Sequence, residues 1–146
     1  MELDPLTYQK VLSLCQTGDQ FAENQKFEQA IREYQKALAF LPEPIKSWEA
    51  ATWLYSAIGD AYFFSSDFDQ VLSAFQNAIQ SPAGIGNPFI HLRLGQAYFE
   101  LGAPKKALDE LTRAYMSESR EIFEQEDPKY LKFLLSHLDP PMDSKP

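Results

Sequence analysis

The stretch that decides the fold runs from Thr52 to Ile85 and reads TWLYSAIGDAYFFSSDFDQVLSAFQNAIQSPAGI. Taking Gly59 as the origin, aromatic residues follow at three, nine and sixteen positions, and an alanine follows at nineteen (Tyr62, Phe68, Phe75, Ala78). We interpret the stretch as a helix, a tight turn and a second helix.

Sparser copies of this pattern lie on both sides of the central stretch. Gly18, 41 residues earlier, and Gly95, 36 residues later, begin the same order of large and small residues. The copies continue with Phe21, Phe27, Ala30, Tyr34 and Ala37, and with Tyr98, Pro104, Ala107, Leu111 and Ala114. Small residues suit positions where two helices cross closely. Each hairpin also leaves an apolar face that it must bury against a neighbour, so the pattern predicts stacked helical hairpins.

The three copies resemble the tetratricopeptide repeat, a helix–turn–helix unit of about 34 residues. The central copy carries the resemblance through Tyr55, Ile58, Gly59, Tyr62, Val71, Phe75 and Ala78. In this frame the repeats span about residues 11–44, 52–85 and 88–121. Departures occur at Thr17, Val71 and His91, where the family usually has a large apolar residue, an alanine and an aromatic residue. The resemblance implies an all-α, right-handed solenoid of three repeats.

Proline and capping residues set the expected ends of the helices. We expect repeat helices at about residues 5–24, 28–40, 46–64, 67–80, 88–101 and 104–117. The seven extra residues between the first two repeats are placed at 43–51, as a longer loop, an earlier start of the next helix, or both. The amphipathic segment 127–138 is expected to be a helix that covers the open end of the third repeat. We expect one domain over 1–138 and a flexible tail over 139–146.

Composition narrows the function classes. The chain has 146 residues, a net charge of −8 and a single cysteine. Strong negative charge disfavours nucleic acid and anionic membrane as partners, because both are bound through clustered lysine and arginine. One cysteine cannot form an internal disulfide, and the acidic first ten residues lack the apolar core of a signal peptide. A cytoplasmic location is the resulting expectation.

Candidate catalytic and metal-binding residues are few and scattered. His91 and His137 lie 46 residues apart, and Cys15 has no histidine near it in sequence. His91 takes an aromatic position of the third repeat, and Cys15 is expected to be a small apolar filler. No sequence motif for zinc is present, and Gly84-Ile85-Gly86 lacks the context of a phosphate loop. We therefore expect no catalytic residue, no metal and no cofactor, and a protein that is not an enzyme.

The surface is the more informative feature. In tetratricopeptide domains the first helix of each repeat lines a concave groove that holds a partner peptide. The matching positions in this chain predict a partner-binding groove lined by Leu12, Asp19, Glu23, Trp53, Ser56, Asp60, Phe64, Phe89, Leu92, Gln96, Phe99 and Glu100. Cys15, Ala22 and Phe63 also fall on groove positions, although the spacing equally allows Phe63 and Phe99 to be core residues.

The predicted groove is acidic and aromatic. The span from residue 47 to 92 contains no lysine or arginine but holds Glu49, Asp60, Asp67 and Asp69. Such a groove favours a basic or amphipathic protein segment. It does not resemble the carboxylate-clamp domains that bind an acidic chaperone terminus through basic residues and asparagine. Here the corresponding places hold Cys15, Asp19, Ser56, Asp60, Leu92 and Gln96.

Narrower roles stay open at this point. A small acidic helical protein resembles immunity proteins that neutralise a cognate bacterial toxin, and negative charge suits inhibition of a basic enzyme. The alternative is a co-chaperone or secretion chaperone that holds an amphipathic segment. Exposed aromatic residues such as Trp53 and Phe89 also allow weak homo-oligomers beside a monomer.

Overall fold

The computed structural model describes residues 2–138, and the predicted tail at 139–146 lies outside them. No strand occurs in this described range, which confirms the all-α prediction. The helices form two compact units, one up to Asn87 and one from Pro88 onwards. The first unit contains α1 (Pro5–Glu23), α2 (Phe27–Phe40), a 3₁₀ turn (Ile45–Ser47), α3 (Glu49–Phe64) and α4 (Phe68–Ile79). The second contains α5 (Pro88–Glu100), α6 (Pro104–Glu118), a 3₁₀ turn (Ser119–Phe123) and α7 (Pro128–Ser136).

A side-chain cap begins two of the helices, α1 and α7. Asp4 accepts a hydrogen bond from the backbone N–H of Thr7 at 3.2 Å, and Asp127 accepts one from Lys129 at 3.0 Å. In both cases a proline follows the cap, where its missing N–H costs nothing. Asp67 stands at the same position before α4, but its side chain makes no capping hydrogen bond.

The three hairpin turns share one backbone geometry. Seven residues after each origin glycine lies a left-handed residue: Gln25 (φ 62°), Ser66 (φ 60°) and Gly102 (φ 78°). The next N–H in each turn bonds back over five residues, as in Lys26 to the carbonyl of Phe21 at 2.8 Å. The equivalent bonds in the other turns measure 3.0 and 2.9 Å. This is the Schellman arrangement, which satisfies the last carbonyls of a helix while reversing the chain.

Two of the origin glycines show why the pattern needs a small residue. A Cβ atom at Gly59 would lie 2.3 Å from Cε2 of Phe75, and one at Gly95 would lie 2.6 Å from Cγ of Leu111. Both large side chains are fully buried and cannot move aside without disturbing the core. The two helices of a hairpin therefore touch where the glycine of one meets the large side chain sixteen positions later in the other.

Each unit has its own apolar core. In the first unit the core joins α1 to α4 through buried residues such as Val11, Tyr34, Ala37, Leu54 and Ile58. In the second unit it joins α5, α6 and α7 through Leu92, Leu111, Tyr115, Phe123 and Leu134. The segment between the first two repeats forms the 3₁₀ turn, and α3 begins at Glu49, three residues before the repeat frame.

Candidate partner-binding surface

Helices α1 and α3 run side by side in the same direction. The start of α1 and the start of α3 line one cavity, to which Tyr8 and Trp53 both contribute. At the other end, Phe27 follows α1 and stacks on Phe64 at the end of α3, with ring centroids 6.1 Å apart. The first unit therefore presents a surface built from both helices, which we call the α1–α3 face.

Carboxylates occupy the middle of the α1–α3 face. The hydroxyl of Tyr34 donates a hydrogen bond to Oδ1 of Asp19 at 2.7 Å. Burial, this hydrogen bond and the charges of Asp19 and Asp60 all raise the pKa of Tyr34 above its ordinary value. Asp19 of α1 contacts the hydroxyl directly, and the negative charge of Asp60 in α3 adds to its effect.

The single thiol, Cys15, lies on α1 one turn from Asp19. Burial, with a further contribution from the charge of Asp19, raises the pKa of Cys15 to about 11. Because the thiolate is the reactive form, Cys15 is protonated and inert at neutral pH. The structure gives it the filler role that the sequence indicated, with its side chain packed against the core of the first unit.

Aromatic rings close the face at the end of α3. Phe64 is 60% exposed and makes an edge contact with Phe63 at 5.5 Å between centroids. Phe63 in turn contacts Phe68 of α4 at 5.9 Å. Phe63 is half-buried, so it serves both the core and the surface, whereas Phe64 belongs to the surface.

The opposite end of the face opens into a cavity of about 810 Å³. Its walls include aromatic and acidic side chains from the start of the chain, α1 and the start of α3: Glu2, Tyr8, Trp48, Glu49 and Trp53. Trp53, a predicted groove residue, is 37% exposed. Trp53 and Phe64 are separated by eleven residues of α3, or about 16 Å along the helix axis.

Positive charge is scarce on these two helices. Helix α3 contains no lysine or arginine, and Lys10 is the one basic residue of α1. The ammonium group of Lys10 lies 5.3 Å from the ring centroid of Phe40 in α2. Of the other predicted lining residues, Glu23 is exposed, and Leu12 and Ser56 are half-buried.

The third repeat is arranged differently, because residues 119–136 cover α5. We call these residues, which comprise the second 3₁₀ turn, α7 and the link between them, the capping segment. Leu92 and Gln96, which were expected to face a partner, are fully buried inside the second unit. The ring of Phe99 makes edge contacts with Tyr130 at 5.4 Å and Phe133 at 5.1 Å. The prediction of an open lining therefore needs correction at this repeat, since the capping segment occupies the positions that the first two repeats expose.

Polar contacts fix the capping segment on α5. Glu126 accepts hydrogen bonds from Arg93 at 2.6 Å and from Gln96 at 2.7 Å. The side chain of Arg93 is only 5% exposed, and its guanidinium lies 4.8 Å from the ring centroid of Phe89. A charged pair at such depth is stabilised only when its hydrogen bonds are made, as they are here.

A second polar contact lies one turn further along α5. Glu100 accepts a hydrogen bond from the hydroxyl of Tyr130 at 2.7 Å and pairs with Lys129 at 2.7 Å. Burial and the hydrogen bond to Glu100 raise the pKa of Tyr130. Sequence reasoning missed these pairings, because the two partners of each lie about 30 residues apart and outside the repeat period.

The two histidines, which were the remaining candidate catalytic or metal-binding residues, each lie close to another group of the protein. Nδ1 of His91 lies 2.6 Å from Oε1 of Glu110, in the contact between α5 and α6. His137 is exposed and lies 2.8 Å from the carbonyl of Phe133. Within residues 2–138 no group of three or more histidine, cysteine or acidic side chains is placed to hold a metal ion. Across the same range, no helix has the length and apolar character needed to cross a membrane.

The helical hairpins have turns of one geometry, and their two helices cross at a glycine in the two cases described. These features are typical of the tetratricopeptide fold. No family model matches the sequence, and no curated protein matches it. Among solved structures, the chain is similar to the first tetratricopeptide domain of Spaghetti (RPAP3), which is bound there to the HSP90 peptide SRMEEVD. The TM-score is 0.66 and the identity is 21%, over 88% of this chain and 90% of that one. The likeness confirms the predicted fold.

Proposed function

We propose that this protein is a non-enzymatic module that binds a basic or amphipathic segment of another protein on its α1–α3 face. The observation that carries the proposal is a carboxylate on each helix, Asp19 hydrogen-bonded to Tyr34 and Asp60 of α3, with exposed aromatic residues toward both ends of α3. Aromatic anchors supply much of the binding energy of an interface, and a potential of one sign steers the partner.

The geometry suggests the shape of the partner segment. The two aromatic ends, Trp53 and Phe64, lie about 16 Å apart, which an extended chain spans in about five residues. The carboxylates lie between them. The best match is a short segment with a basic residue in the middle and an apolar side chain at the Phe64 end.

The structural neighbour supports a peptide-binding role and also indicates a difference in specificity. Its ligand, SRMEEVD, carries three acidic residues and one arginine. The α1–α3 face carries Asp19, Glu23 and Asp60, and an acidic peptide would be repelled there. We confine the proposed surface to the first unit, because Leu92 and Gln96 are buried by the capping segment.

The test uses charge reversal on the captured natural partner. Protein partners are first captured from the native cell and identified, and affinity is then measured for the wild type and for Asp19→Lys. We expect the affinity to fall about tenfold and the salt dependence to weaken, because a steering carboxylate becomes a repelling cation. Glu124→Lys, an exposed position in the second unit, is the matched control. Equal affinities for the wild type and both variants would exclude the α1–α3 face.

The narrower roles are separated by the number of partners. A single tight partner with a basic active surface supports an immunity protein in the cytoplasm. Several weak partners that share an amphipathic segment support a co-chaperone or secretion chaperone. Light scattering on the purified protein distinguishes a monomer from a weak homo-oligomer.

A further inference from the structure

We infer that the cavity at the start of α1 and α3 is an anchor site for one arginine or lysine side chain of the partner segment. The inference rests on the proposed function, and it adds a second contact at the end of the α1–α3 face. The walls of the cavity combine three aromatic residues, Tyr8, Trp48 and Trp53, with two carboxylates, Glu2 and Glu49.

The lining of the cavity suits a long cationic side chain, and its size admits one. A volume of about 810 Å³ lies within the range of sites that hold small ligands. Aromatic walls can cover the alkyl stem of arginine or lysine and attract its charge through the ring electrons. The indole N–H of Trp48 is already donated to the carbonyl of Pro42 at 2.7 Å. That hydrogen bond holds the ring in place within the wall.

Charge selects a cation over an anion. The N-termini of α1 and α3 both point to this end of the unit, and each contributes roughly half a positive charge. Three carboxylates oppose them: Glu2 and Glu49 in the wall and Asp4 at the cap of α1. The sum is negative, so an anionic ligand is disfavoured.

Neighbouring lysines already contact other side chains. Lys46 donates a hydrogen bond to Oε1 of Gln80 at 2.6 Å, and Lys10 lies over the ring of Phe40. Among the described residues that line the cavity, none is a lysine or an arginine. A cation from a partner therefore meets carboxylates and aromatic rings in the described part of the wall.

The test uses the natural reporters of this cavity. The chain has two tryptophans, Trp48 and Trp53, and both line it, so intrinsic fluorescence reports its occupancy. The probe is the peptide acetyl-Leu-Arg-Leu-amide, titrated to millimolar concentration. The control peptide carries citrulline, which has the shape of arginine without its charge. We expect a saturable fluorescence change with the arginine peptide. The citrulline peptide should bind with an affinity about fivefold lower.

Variants locate the effect within the cavity. Glu49→Gln, a surface change that leaves the core intact, should weaken the arginine peptide about threefold, whereas Glu124→Gln in the second unit should not. Trp53→Ala should weaken it further, with Trp48 as the reporter. A circular-dichroism melt verifies that each variant is folded.

The outcomes separate this inference from the proposed function. Asp19 lies eleven residues from Tyr8 along α1, about 16 Å away and beyond the screening length, so Asp19→Lys should leave tripeptide binding unchanged. Equal binding of the arginine and citrulline peptides, or no fluorescence response, overturns the cation site. The proposed function still stands in that case if Asp19→Lys weakens the natural partner. Tight binding of a tripeptide with glutamate in place of arginine would also overturn the cation site.

Discussion

Replacing Gly59 by alanine tests the packing of the central hairpin. The new Cβ would lie 2.3, 2.6 and 2.8 Å from three ring atoms of Phe75, whereas ordinary carbon contacts are about 3.5–4.0 Å. The ring is fully buried, so it must shift by roughly 1 Å into packed neighbours, which costs about 2–3 kcal/mol. Alanine recovers about 1 kcal/mol of helix propensity. We expect a net loss of about 1–2 kcal/mol in the free energy of unfolding.

Urea denaturation followed by circular dichroism measures this loss. In a Phe75→Leu background the ring is absent, and the penalty of Gly59→Ala should fall by at least half, as a double-mutant cycle reports. Gly86→Ala is the matched control, because a Cβ there meets nothing within 4 Å. A Gly59→Ala protein as stable as the wild type, or an equal penalty in both backgrounds, would refute the proposed contact.

Three further perturbations follow from the same structure. Ser66→Gly should stabilise the protein by about 0.5–1 kcal/mol, because φ is 60° there and glycine adopts that conformation without strain; an unchanged urea midpoint would contradict this. Alkylation of Cys15 at pH 8 should be about 100-fold slower than that of a thiol with a pKa of 9.0 and should rise about tenfold per pH unit up to pH 10. A rate equal to that of a small free thiol would argue against its burial beside Asp19. Glu126→Gln should cost about 1–3 kcal/mol in urea denaturation, because Arg93 loses its charged acceptor, while Glu124→Gln should be neutral.

The sequence predicted the hairpins well because local packing imposes their spacing. The glycine-to-aromatic interval is set by a helix crossing, and that crossing is formed by residues sixteen positions apart. Every repeat helix was placed within a few residues of its observed ends, and prolines mark the starts of α1, α5 and α6. One residue also marks the turn geometry. Gly102 lies seven residues after Gly95, and Gln25 and Ser66 adopt the same left-handed conformation at the equivalent positions of the first two repeats.

Contacts outside the repeat period could not be predicted in the same way. The cavity depends on the part of α1 before the first repeat and on the 3₁₀ turn before α3, and neither follows the repeat pattern. The coverage of α5 depends on Glu126 and Tyr130, which find partners about 30 residues away. The amphipathic pattern predicted that α7 would cover an apolar face, but it gave no indication of the polar groups that would be covered with it.

The capping segment also sets a limit on growth of the array. Repeat proteins lengthen when a new hairpin docks on the exposed face of the last one. Here that face of α5 already holds Phe133, Tyr130 and Glu126. An engineered fourth repeat would have to replace α7 and supply another carboxylate for Arg93, so extension of the stack requires an exchange of this helix.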